Sequence, residues 1–180
     1  NTEDITTCIE PTGADGVDIR SANPLGGNVL YDYSYYLTEA NVGKELADKW
    51  SSWKKDFTEA RTSYFRMSVQ HAILIARNET AKAKLADLNG ELSALETLQS
   101  VDVDASAQGV TPNKPLSEHA AGIRKQKQLI AAQEAEIAAI ESEISSLVAQ
   151  MRAVNTSLQF DNYTTADGRQ FSKTDRIVMD

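Results

Sequence analysis

The chain holds only two histidines, His71 and His119, the side chains best suited to proton transfer near neutral pH and to zinc. A zinc centre needs three or four converging ligands, and these two lie far apart in sequence with no companions at ligand spacing. His71 reads as a polar residue on a helix seam. His119 reads as a surface side chain in a first helical turn. Asp102 and Asp104 alternate as the start of a calcium loop does, yet the glycine and glutamate that complete such a loop do not follow. They read as solvated loop carboxylates. Cys8 is the single cysteine, so it has no partner for an internal disulfide and no base beside it to make a nucleophile. No phosphate-cradling glycine loop, nucleophile elbow or paired-carboxylate motif occurs. The sequence therefore predicts no enzyme, with no catalytic, cofactor-binding or metal-binding residues and no cofactor. Glycosylation sequons stand at Asn78, Asn155 and Asn162, and the first falls on a seam position where a glycan has no room.

The elements that hold these residues are set by a helical pattern. From Leu46 the apolar positions step by four and three through Trp50, Trp53, Phe57, Ala60, Tyr64, Met67, His71, Leu74, Asn78, Ala81, Leu85, Leu88, Leu92 and Leu95. An a/d seam kept over about seven heptads predicts a long helix, roughly residues 39–99, some 90 Å at the usual rise. His71 and Asn78 sit on that seam as register residues, because a polar side chain at an a position fixes alignment at some cost in stability. A second ladder repeats every seven residues through Ile123, Ile130, Ile137, Ile144, Met151 and Leu158, and predicts a helix over 117–159 with Ser117 as its N-cap. Gln126 and Gln133 make this seam wetter towards its start. Asp102, Asp104, Gly109, Pro112 and Pro115 predict a loop over 100–116. Folding back through that loop brings Leu85 near Ile130 and Leu74 near Ile140 and Ile144. It also sets Glu91 against Lys125, Lys82 against Glu134, and Arg77 against Glu136 and Glu141. The expected fold is mainly α: a long antiparallel coiled-coil helical hairpin.

Every aromatic residue lies between Tyr31 and Phe65 or between Phe160 and Phe171, segments that a hairpin brings to one end. Tyr31, Tyr33, Tyr35, Trp50 and Trp53 are the expected centre of a small mixed head. Residues 29–37 are rich in strand formers, and 29–38 should pack there with a tail over 160–180 as the head. In that tail Thr165-Ala166-Asp167-Gly168 signals a turn, and Phe171 with Ile177-Val178-Met179 suits a second strand. Residues 1–28 read as an extended N-terminal arm, leaving 29–180 as a single elongated domain.

Composition bounds the function. Of 180 residues, 41% are hydrophobic, too many for a disordered chain, and the net charge of −8 opposes binding to nucleic acid. The longest apolar run, Ala72-Ile73-Leu74-Ile75-Ala76, falls far short of the roughly 20 residues that span a bilayer. A start at Asn1 rather than methionine fits a processed protein, so the expected location is extracellular, periplasmic or virion-associated. Off the seam, Phe65, Val69, Ile73, Ile75, Leu129 and Val148 carry apolar groups that a two-helix hairpin leaves uncovered, which makes them interface candidates. These features predict a structural or assembly protein that associates with itself or with other protein subunits. The other reading is an extracytoplasmic helical binding module, a sensor or adhesin, recognising a ligand through its head or tip.

Overall fold

A computed structural model describes residues 8–11, 19–20 and 22–170. In order along the chain they form β1 (Cys8–Ile9), β2 (Leu30–Tyr31), α1 (Glu39–Val42), α2 (Lys44–Ala107), α3 (Leu116–Ser157) and a closing 3-10 turn (Phe160–Tyr163). The protein is mainly helical, with α2 and α3 packed against each other as a helical hairpin and a two-stranded sheet near the N-terminus. Two compact units divide it: a terminal unit of Asn1–His71 with Leu147–Asp180, and a hairpin unit of Ala72–Ser146.

The helix boundaries correct the expected loop. Residues 100–107 continue α2, and the connection is only 108–115. Asp102 does not break the helix because its carboxylate is occupied by groups across the turn, which removes the competition with its own backbone that makes aspartate a poor helix former. The stop comes at Gly109, whose φ of 74° is left-handed. Its N–H donates to Ser106 O at 3.1 Å and the Val110 N–H to Ala105 O at 2.9 Å, the paired bonds of a Schellman ending. Helix α3 starts one residue before Ser117. The Pro115 carbonyl accepts its first bonds, from the N–H groups of Glu118 and His119, so Ser117 lies within the first turn instead of capping it.

The terminal unit buries its aromatic residues against one another. Trp50 and Trp53 stack at 5.1 Å, Trp53 and Phe57 at 5.0 Å, and Phe160 meets Trp53 edge-on at 5.4 Å. Leu37, Leu46 and Tyr163 complete the core. The Trp53 indole N–H donates to Leu158 O at 3.0 Å, and the Tyr163 hydroxyl donates to Asp56 at 2.8 Å. Burial and that carboxylate together push the Tyr163 phenol well above its ordinary pKa. Thr165 to Arg169 makes the turn its sequence signals, with Arg169 Nη1 donating to Val42 O at 3.1 Å.

Two expectations about the N-terminal part change. Only Leu30–Tyr31 of the 29–37 stretch is strand, and its antiparallel partner is Cys8–Ile9. Asp32 ends the strand by accepting the Ser34 N–H at 2.9 Å, an Asx turn that a period-two reading cannot see. Phe171 and Ile177-Val178-Met179, assigned above to a tail strand, lie outside the described residues. Residues 22–28 fold tightly instead of extending as an arm. The buried Asn23 side chain donates to Gly27 O and Val29 O, Pro24 is fully enclosed, and Asn155 of α3 donates to Pro24 O at 3.2 Å.

In the hairpin unit Leu74, Ala81, Ile130, Ile137 and Ile140 fill the seam. The cross-helix ion pairs are Arg77–Glu136 at 3.3 Å, Lys82–Glu141 at 3.0 Å and Lys127–Glu96 at 3.3 Å. The first was expected. Lys82 selects Glu141 over Glu134, and Glu91 meets Gln126 Nε2 at 3.0 Å in place of Lys125. Long exposed side chains choose among neighbours a turn apart for little energy, so seam position does not fix such pairs.

Candidate functional site

The connection between α2 and α3 is built around a buried carboxylate. Asp102 Oδ1 accepts both the backbone N–H and the side-chain amide of Asn113, each at 2.9 Å. Its Oδ2 accepts the Lys114 N–H at 3.1 Å and lies 2.7 Å from His119 Nε2. Asp102 is 2% exposed and His119 6%. Both depart from the sequence reading, which took the first as a solvated loop group and the second as a surface histidine. The His119 bond, then the Asn113 N–H, outweigh burial and draw the Asp102 carboxyl down to about 2. Such a network holds a turn in one shape, because each donor would be costly to strand in a dry site. Chemically it is an imidazole oriented by a carboxylate.

The signal for this pair was present in the ladders. From Leu95 the steps of four and three continue through Gln99 to Asp102, and one heptad before Gln126 stands His119. Both are seam positions, and reading the seam as apolar hid them. Around the pair, Leu98, Val101, Val103, Val110 and Leu116 are exposed.

The seam residues chosen from sequence behave differently. Asn78 is buried, and its Oδ1 finds no donor among the described residues, while its side chain bonds Glu141. His71 is half-buried in the terminal unit. Of the interface candidates in the hairpin unit, Ile73 is 62% exposed, and Ile75 and Leu129 are exposed as well. Ile73 and Ile75 stand on either side of the buried Leu74, so they do not share a face. In the terminal unit Phe65 and Val69 are exposed one turn apart on α2, whereas Val148 is half-buried. Of the head residues, Trp50 and Trp53 are buried, Tyr31 and Tyr33 half-buried, and Tyr35 lies open, edge-on to Tyr36 at 5.2 Å.

Among the described residues no three His, Cys, Asp or Glu side chains converge, and no helix is long and apolar enough to cross a membrane. Compared with known proteins, the chain matches no family model, no curated protein and no solved structure.

Proposed function

We propose that this chain is a non-enzymatic assembly subunit that associates with copies of itself, as part of an extracellular filament, a secretion apparatus or a virion. In this reading residues 29–38 and 160–170 belong to the head of a coiled-coil subunit. The observation that carries it is the exposure of Ile73, Ile75 and Leu129 on helices whose seam is already filled by Leu74 and Ile130. Fully covering an exposed side chain of this size returns about 1.5–3 kcal/mol, and less for these partly shielded ones. Because Ile73 and Ile75 lie on different faces, association in this reading uses more than one face of the hairpin. Sedimentation velocity over a roughly hundredfold concentration range tests this. Wild-type protein should show concentration-dependent mass, and Ile73→Glu should abolish it while far-UV circular dichroism stays helical. A wild-type monomer throughout would sink the proposal.

The second reading, a binding module, draws on the tip. A buried Asp102–His119 network orders a short turn that carries the exposed Val110 and leads into the exposed Leu116, an arrangement suited to presenting apolar side chains in a fixed position to a ligand. A monomer whose tip variants Val110→Ser and Leu116→Ser lose ligand in a screen would favour it.

A further inference from the structure

The terminal unit contains a groove of about 290 Å³ between α2 and α3, with Tyr64, His71, Val148, Met151 and Arg152 along it. On α3, Val148 and Arg152 are one turn apart and so share a face; on α2, Tyr64 and His71 are two turns apart along the seam. The 22–28 fold walls one end. Gly26 has a φ of 70°, and a Cβ there would stand 3.3 Å from the Asn155 amide nitrogen. That amide is committed to Pro24 O, and Asn155 Oδ1 accepts from Gln159 at 3.0 Å. The wall is thus fixed by bonds of its own, and a larger residue at position 26 would close on it.

Three polar groups of the groove are uncommitted. The Tyr64 hydroxyl, the His71 imidazole and the Arg152 guanidinium have no hydrogen-bond or ion-pair partner among the described residues, although the Tyr64 ring is 7% exposed. Arg77 on α2 and Arg169 in the turn, by contrast, both hold carboxylates. No aspartate or glutamate lines the groove, so an entering anion meets no like charge there. Burial raises the Tyr64 pKa, which keeps the phenol a neutral donor through physiological pH. A guanidinium presents a planar fork that matches a carboxylate with two parallel bonds, a phenol adds one donor, and an imidazole N–H adds another. Val148 and Met151 supply an apolar wall for a carbon chain. The volume lies at the small end of the range for ligand pockets.

We propose that this groove binds a monocarboxylate with a short apolar stem, its carboxylate held by Arg152, Tyr64 and His71 and its stem against Val148 and Met151. The carboxylate can belong to a free acid or to a glutamate or aspartate of a second copy, since both present the same group. The test is a titration of the whole chain with hexanoate, with hexanol as the neutral control, followed by the Met151 methyl resonance. Hexanoate should perturb that signal saturably and hexanol should not. Arg152→Gln should weaken hexanoate about tenfold, and Tyr64→Phe by less, with the helical circular dichroism of both variants unchanged. Absence of saturation to about 10 mM, equal binding of hexanol, or undiminished affinity in folded Arg152→Gln would each overturn the proposal. Sedimentation with and without hexanoate separates the two sources. Loss of self-association assigns the carboxylate to a neighbouring copy, and unchanged sedimentation while hexanoate binds assigns it to a free acid.

Discussion

The two units solve the problem of burial in opposite ways. The terminal unit uses a few large surfaces of unlike origin: Trp50, Trp53 and Phe57 from α2, Tyr31 and Tyr33 from the N-terminal segment, and Phe160 and Tyr163 from beyond α3. Its hydrogen bonds span long sequence separations, such as Trp53 to Leu158 and Tyr163 to Asp56. The hairpin unit repeats one small aliphatic motif and interrupts it with buried polar groups at Asn78, Asp102, His119, Gln126 and Gln133. Large, irregular surfaces define a single packing by shape. A ladder of Leu, Ile and Ala is nearly self-similar under a slip of seven residues, so polar contacts must define its register. Gln126 does so by donating to the Glu91 carboxylate at 3.0 Å, an acceptor that a slip of seven residues would replace with Lys84 or Leu98.

The largest expected difference between the units follows from removing their anchors. Trp53→Ala deletes two stacked contacts, one edge contact and the bond to Leu158, and should cost about 3–5 kcal/mol, read as a lower denaturant midpoint and a collapsed near-UV aromatic signal. If the variant keeps that signal, the terminal unit is not held by its aromatic stack.

Next is the tip. Asp102→Asn should speed amide exchange at Asn113 and Lys114 at least about tenfold at neutral pH, with the terminal unit's amides unaffected. The same carboxylate gives a pH prediction. Its folded pKa of about 2 lies below the ordinary 3.8, so its stabilising contribution is complete above about pH 4 and disappears as pH falls towards 2. The Asn113 amide resonance should therefore titrate near 2; a midpoint near 4 would mean the carboxylate is not engaged.

A smaller effect of opposite sign is expected at Asn78. Asn78→Leu replaces a buried acceptor that lacks a donor among the described residues, and should raise the thermal midpoint by an amount worth about 1 kcal/mol. It should also broaden the species seen in sedimentation, because the ladder loses a register mark. Smallest of all, Lys82→Ala should leave the midpoint unmoved within error, since its bridge to Glu141 is solvated on both sides. A measurable loss there would show that the hairpin depends on surface charge after all.

Legibility followed the same division. The heptad ladders made α2, α3 and their antiparallel pairing readable, because period and length alone carry that information. They also contained Asp102 and His119 as seam positions, but composition pulled the other way: aspartate, glycine and proline together read as loop. Nothing local announced that Asp102 would bond the Asn113 and Lys114 amides, since those donors exist only once the turn is closed. The groove residues show the same limit. Tyr64 and His71 are visible on the α2 seam, whereas the wall at Gly26 comes from a segment that reads as an extended arm.

What the sequence by itself determined is the helical hairpin, the end at which aromatic residues gather, and the side chains left over when the seam is full. Periodicity decides these, for it dictates which residues share a face before any partner is present. Only the tertiary structure decided that Cys8–Ile9 pairs with Leu30–Tyr31, that Pro24 is enclosed, and that an aspartate and a histidine on successive helices meet inside the tip. Those outcomes depend on contacts between segments that carry no common period, and their energies come from desolvation and bond geometry that exist only when the chain has folded.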